Sequence, residues 1–279
     1  MPTLYVVATP IGNLEDITMR ALRVLGEVDL IAAEDTRVTR RLLDRYQIET
    51  PITSYREHNK HTKTPRLVDQ LKNKDIALVS DAGMPGINDP GRELVAAAAV
   101  AGLEVVTVPG PSAVTSAVAL SGLAIDQFVY LGYLPRKRSD RKRLLESLEG
   151  GTRALVAFET PHRLKAALRD ILDTVGERRI AVCRELTKLH EEVFRGTVSE
   201  AIEHFPEPRG EFTLVVEGRG DELPIGPDAE ERAVSLLAGL RAGGARAREA
   251  VAEVSQATGL PKRRVYGLWL EGEGQREPA

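Results

Sequence analysis

At 279 residues, with 42% hydrophobic and 28% charged side chains, the chain has the composition of a water-soluble protein long enough for two or three domains. No apolar run nears the roughly 20 residues that cross a bilayer, and the chain begins on a strand pattern rather than a signal segment, so no membrane partner is expected and the cytoplasm is. The formal charge of -3 excludes a uniformly basic surface, and a single cysteine excludes disulfides within the chain; Cys183, in the apolar run from Ile180, reads as a buried, inert thiol.

Taken in order, Thr3 to Ala8 is a β-branched and aromatic strand, followed by the loop Thr9-Pro10-Ile11-Gly12-Asn13 and a helical pattern carrying Ile17, Ala21, Leu22 and Leu25. A second strand, Val28 to Ala33, ends in Glu34-Asp35-Thr36-Arg37. After a weak strand at Ile52 to Tyr55, the stretch Arg56 to Thr64 is a polar, cationic loop. Its His58 and His61 lack the partners that a metal needs, and no metal site is expected. A helix is predicted from Pro65 to Asn73, then the strand Ile76 to Val79. The loop Ser80 to Gly91 that follows holds three glycines, two prolines and two aspartates, Asp81 and Asp89. A helix from Gly91 to Ala101, a strand from Glu104 to Val108 and the turn Pro109-Gly110-Pro111-Ser112-Ala113 lead into a small-residue helix. Repeated strand, loop and helix indicate a mainly parallel sheet with helices on both faces, and ligands of such sheets bind at the carboxyl ends of the strands.

A new strand starts at Phe128, so three domains are expected: 1–122, an α/β domain with the site loops; 123–223, a second α/β domain; and 224–279, a linker with a small helical module. In the second, strands at Ala154 to Phe158, Arg179 to Arg184, Val193 to Gly196 and Leu214 to Glu217 include consecutive strand patterns that suggest a mixed or partly antiparallel sheet. In the third, Val251, Val254, Val265, Leu268 and Trp269 recur at helical spacing and read as a bundle core, with Gly259 as a left-handed helix cap. The helix arrangement has the outline of a helix-turn-helix. Glu271 to Ala279 reads as a frayed tail.

Charge is unevenly placed. Arg136 to Arg143 packs six cations into eight residues, and with the 56–66 loop and Lys262-Arg263-Arg264 it forms a candidate footprint for nucleic acid on an acidic protein. On the opposite sign, Glu34, Asp35, Asp81 and Asp89 all lie on loops at one sheet edge, where a carboxylate can accept a proton from a reacting hydroxyl. They are the candidate catalytic residues as a group, and each aspartate also has the structural alternative of capping the helix after it.

Several segments in this order, Tyr5 to Leu14 (YVVATPIGNL), Ala33 to Arg37 (AEDTR), Ser80 to Gly91, Val108 to Ala113 (VPGPSA), Phe158 to Arg163 (FETPHR) and Cys183 to Lys188 (CRELTK), carry a resemblance over about the first 220 residues. The chain resembles the bacterial 16S ribosomal RNA (cytidine-2'-O)-methyltransferases of the tetrapyrrole methylase superfamily. The resemblance implies a two-domain class III methyltransferase fold with a small helical C-terminal domain, S-adenosylmethionine as cofactor between the α/β domains, a homodimer, and 16S rRNA of the small ribosomal subunit as partner. By position it assigns Pro10, Gly83, Met84, Pro85, Ser112, Ala113, Phe158 and Phe212 or Thr213 to the cofactor. The superfamily's Ser-Gly-Asp-Pro loop appears here as Ser80-Asp81-Ala82-Gly83-Met84-Pro85, longer by inserted residues. RNA phosphates are expected at Arg37, Arg136, Lys137, Arg138, Arg163 and Lys188. Two rival readings keep their place: a methylase of the same fold acting on a tetrapyrrole precursor, and a non-catalytic RNA-binding assembly factor.

Overall fold

The computed structural model describes residues 2–219, 228–260 and 262–273. Residues 220–227, which include the start of the expected linker, Pro261 and the tail from 274 lie outside the described residues.

Five strands, β1 (Thr3–Val7), β2 (Leu30–Ala33), β3 (Ile52–Ser54), β4 (Ile76–Val79) and β5 (Glu104–Val108), form an all-parallel sheet in the order β3-β2-β4-β1-β5. Alternate residues along these strands face opposite ways, and each face finds its own helices. On one side Val7, Ile31, Ala33, Ala77 and Val79 pack with helices α1 (Met19–Glu27) and α2 (Thr36–Arg45); on the other Leu4, Ala32, Ile76 and Leu78 pack with α3 (Lys60–Gln70) and α4 (Arg92–Val100).

Two boundaries differ from the sequence expectation. Val28 does not begin a strand: it caps α1, its N–H donating to Val24 O at 3.1 Å. Helix α3 starts at Lys60, so Pro65 sits inside it rather than at its first position. Tertiary contacts outweigh the proline penalty, because Lys60 pairs with Glu57 and Glu93 at 2.6 Å, Lys63 Nζ donates to Thr53 Oγ1 at 2.8 Å, and Tyr55 and Thr64 share a hydroxyl bond at 2.8 Å. Much of the expected cationic loop is therefore a helical turn with its lysines engaged.

The second sheet runs β6-β7-β10-β8-β9, from β6 (Phe128–Tyr133), β7 (Ala154–Glu159), β8 (Arg179–Arg184), β9 (Glu192–Thr197) and β10 (Phe212–Val216). Only β6 and β7 are parallel; the other pairings are antiparallel, giving the mixed sheet that closely spaced strands implied. One face packs against α6 (Arg138–Glu146), α7 (Pro161–Val175) and α8 (Val198–His204) through Leu145, Leu164, Leu168 and Ala201. The other receives α5 (Ala113–Leu120), whose Ala117 packs with Val156, Ala181, Cys183 and Val215. Helix α5 thus leaves the end of β5 and covers the second sheet, which brings the strand ends of both sheets to one place. Cys183 is fully buried, and burial pushes its thiol up to about 11.

The chain divides into two compact units, and the second holds the C-terminal helices α9 (Ala229–Ala242), α10 (Ala247–Thr258) and α11 (Lys262–Glu273). Its core contains Val251, Val254, Val265, Leu268 and Trp269, and Gly259 caps α10 in the left-handed region at φ 74. No described helix is long and apolar enough to cross a membrane.

Candidate active site

The loops at the ends of β1 and β4 are zipped together. Thr9 N donates to Gly83 O at 2.9 Å, Gly83 N returns a bond to Thr9 O at 3.0 Å, and Thr9 Oγ1 donates to Ser80 O at 3.1 Å. The β2 and β4 ends are linked by carboxylates instead. Asp35 N donates to Asp81 Oδ1 at 2.8 Å, and Asp81 N donates to Glu34 Oε2 at 3.3 Å. These cross-links fix the Glu34 and Asp81 side chains along one rim of a cleft of about 280 Å³, lined on this side by Glu34, Asp81, Gly83, Met84 and Asp89.

The carboxylates are not equivalent. Asp35 caps α2, accepting from Arg37 N at 2.9 Å, and the Arg37 guanidinium holds its carboxyl well below the usual range. It does not line the cleft. Burial raises Glu34 above its ordinary value. Asp89 is pushed up to about 7, first by burial and then by repulsion from Glu34 and, more weakly, Asp81. A half-buried carboxyl poised there can take up a proton near neutral pH.

The facing side of the cleft comes from α5 and the second sheet: Ser112 and Ala113, then Tyr133, Phe158, Phe212 and Thr213. Ser112 precedes α5 without capping it by its side chain, and among the described residues no side chain accepts from the first-turn amides. Of the residues expected at the cofactor, Gly83, Met84, Ser112, Ala113, Phe158, Phe212 and Thr213 share this one cleft. Pro10 is buried beside it, next to the lining residue Ile11, while Pro85 lines a separate groove with Val6, Arg92 and Val105.

The two sides touch at two tight points. A Cβ on Gly12 would lie 2.5 Å from Lys188 Cγ, and the adjacent Asn13 N donates to Thr187 Oγ1 at 3.0 Å. Gly132, at φ 66, packs so closely on Asn88 that a Cβ would lie 2.6 Å from its Oδ1. The register of β6 against β7 slips between Tyr130 and Gly132. This bulge puts Tyr130 and Tyr133, three apart in sequence, on the same face, and both rings pack edge-on to Phe158 at 5.4 and 5.6 Å. An unbroken alternation would have set them on opposite faces, so residue spacing alone carries no sign of the pairing.

The expected RNA-binding cations are scattered and differently engaged. Arg138 donates to Asp170 at 2.8 Å and reaches Asp173, and Arg141 of the same basic run is buried on Asp170. Arg163 clamps the carbonyls of Leu134 and Pro135 and pairs with Glu159. Lys188 bridges Glu185 at 3.0 Å and Glu211 at 2.7 Å. Arg136 and Lys137 are exposed and have no carboxylate partner among the described residues. Arg37 pairs with Asp35 but stays 83% exposed in its side chain. On the same face of α2 lie Arg40 and Arg41, exposed and likewise without a carboxylate partner among the described residues. In the sequence this stretch is marked by the apolar spacing of Val38, Leu42 and Leu43, which gives the arginines between them no prominence. Arg264 pairs with Glu230 at 2.7 Å, and no group of three metal-ligating side chains occurs among the described residues.

The family model of the tetrapyrrole (corrin/porphyrin) methylases matches residues 3–202. The chain belongs to this family. Among its methylase relatives, the ribosomal RNA small subunit methyltransferase I of Halalkalibacterium halodurans is 46% identical over 276 residues, covering 96% of this chain and 94% of that one. The protein of the same name from Thermotoga maritima is 53% identical over 222 residues, covering 78% of this chain and 100% of its own. A solved uroporphyrin-III-C-methyltransferase from Thermus thermophilus shares the fold, with a TM-score of 0.54 at 20% identity over 78% of this chain and 94% of that one.

Proposed function

We propose that this methylase transfers a methyl group from S-adenosylmethionine to the 2'-hydroxyl of a cytidine in 16S rRNA of the small ribosomal subunit. The observation that carries the reading is near-full-length identity of 46% with a protein named as a ribosomal RNA small subunit methyltransferase. Likeness to the tetrapyrrole enzyme is one of fold alone, at 20% identity.

The cleft has the chemistry that S-adenosylmethionine requires. Its amino acid end needs hydrogen-bond donors and acceptors, its base an apolar slot, and its sulfonium a negative field. The α5 amides at Ser112 and Ala113, the backbone at Gly83 and Met84, and the Thr213 hydroxyl are assigned to the polar groups. Phe158 and Phe212 are assigned to the apolar part, with Pro10 and Pro85 holding the two loops in shape. When bound, the group supplies an electrophilic methyl. Most of the protein's task is then alignment and exclusion of water. Asp89 is assigned the proton of the ribose hydroxyl, with Glu34 and Asp81 holding its affinity for protons up and Asp35 holding α2 in place.

Phosphates are assigned to Arg136 and Lys137 and, on α2, to Arg37, Arg40 and Arg41. Arg138, Arg163 and Lys188 act from their internal ion pairs, shaping the segments that carry the free cations. We further propose a homodimer working in the cytoplasm, and the division at 1–122, 123–223 and 224–279. The deciding experiment incubates the protein with labelled S-adenosylmethionine and either small ribosomal subunits or uroporphyrinogen, then digests the RNA to nucleosides for mass spectrometry. One 2'-O-methylcytidine per subunit is expected; label in the tetrapyrrole instead would sink the reading, and no label with intact cofactor binding would favour an assembly factor.

A further inference from the structure

The chain has only 5 Phe, 6 Tyr and 1 Trp in 279 residues, yet Tyr133, Phe158 and Phe212 line one cleft and Tyr130 packs edge-on to Phe158. Phe158 and Phe212 already have the cofactor to hold. Tyr130 is half-buried against Phe158, whereas Tyr133 stays 49% exposed at the cleft. Its position is built rather than incidental. The bulge before Gly132 turns the ring to the cleft side, Phe158 holds one of its sides at 5.6 Å, and Arg163 fixes the next two residues by their carbonyls. The same short segment continues into Arg136 and Lys137, the unpaired cations of the basic run.

A ring open to the cleft, followed within four residues by two free cations, is the arrangement that holds a splayed-out nucleotide. Bases leave their stack to be held on aromatic faces while cations take the flanking phosphates. A ribose 2'-hydroxyl can reach the carboxylate wall opposite only if its nucleotide is drawn away from its neighbours. We infer that Tyr133 is the stacking platform for the base of the nucleotide being methylated, and so a specificity-determining residue on the RNA side of the cleft. This rests on the RNA reading above. Tyr133 and Asp89 line the same cleft, and their chain neighbours Gly132 and Asn88 are in contact, so a base stacked on the ring brings its sugar close to the carboxylate.

The test compares Tyr133→Ala and Tyr133→Phe with the wild-type protein, measuring KM for small ribosomal subunits, kcat, and S-adenosylmethionine Kd by calorimetry, which also reports folding. Removing the ring should raise KM for subunits about 10-fold, the middle of the range for loss of one base–aromatic stack. Cofactor Kd should hold within about 2-fold, a change too small to count as loss of a contact, and Tyr133→Phe should recover most of the lost affinity. An unchanged KM in Tyr133→Ala would overturn the inference, as would a matching loss of cofactor affinity, which would put the ring on S-adenosylmethionine. A phenylalanine variant as weak as the alanine one would also overturn it, since the hydroxyl rather than the ring would then matter. Failure of the wild-type protein to methylate subunits while binding the cofactor would instead strike the RNA reading itself, and that result is separable from the others.

Discussion

The two sides of the cleft are made by different means. The side from the first sheet is acidic, and its shape is kept by hydrogen bonds between loops that follow parallel strands, backbone to backbone between Thr9 and Gly83 and backbone N–H to carboxylate from Asp35 to Asp81 and from Asp81 to Glu34. The facing side is aromatic and small, kept in shape by a bulge, a strand in the centre of a mixed sheet and the start of α5. One side tunes protons and the other offers surface. A methyl transfer needs both, because the hydroxyl has to lose a proton in a place where donor and acceptor are already aligned.

The largest expected effect breaks the acidic side. Asp89→Asn should lower kcat by about 10²–10⁴-fold, the usual worth of a positioned general base, with S-adenosylmethionine binding kept. In the wild-type protein kcat should climb with pH through about 7, where Asp89 changes charge, and flatten above it, a limb the variant should lack. The stability consequence has the opposite sign. The folded-state pKa lies above the unfolded one, so the Asp89 contribution is present at acid pH and is lost as pH rises towards and through about 7. Asp89→Asn should therefore raise Tm more at pH 8 than at pH 4. Full activity in this variant would leave the acidic side without a chemical role.

A smaller effect is expected where the sides meet. Gly132→Ala forces a side chain onto φ 66 and into Asn88, and should cost about 1–3 kcal/mol in chemical denaturation. A variant as stable as wild type would mean that the bulge relaxes freely and that Tyr133 is not held. Least in energy but sharpest in kind is the substitution of Arg40 and Arg41 together by alanine. The slope of log K against log salt for RNA binding should fall by about 0.7–0.9 per lost phosphate contact. Arg138→Ala, whose guanidinium is spent on Asp170 and Asp173, should leave that slope nearly unchanged.

Most of the first sheet could be read from the sequence because every strand but the weak β3 is a short, largely apolar run with proline or an acidic residue within a few positions of its end. The loops that carry Gly83, Met84 and Ser112 were legible for the same reason, whereas the assignment of these residues and Phe158 to one ligand came from the resemblance. What escaped was set by tertiary contacts. Helix α3 runs through Pro65 because distant groups hold its first turn, and the Tyr130–Tyr133 pairing depends on a bulge that leaves no mark in hydrophobic periodicity. Charge was the least legible property. The eight residues from Arg136 carry six cations, yet Arg138, Arg141 and Lys142 are matched by Asp170 and Asp173 some thirty positions later.

The order β6-β7-β10-β8-β9 has a consequence for how the chain is made. The strand at the centre of the second sheet, Phe212–Val216, is the last of the five to be synthesised, and it pairs with β7 on one side and β8 on the other. Until it emerges, two apolar strands wait with unpaired edges while the first sheet is already complete in sequence. Maturation of the nascent chain should accordingly proceed in two steps, with a protease-sensitive interval that closes only when this keystone strand drops in between its neighbours.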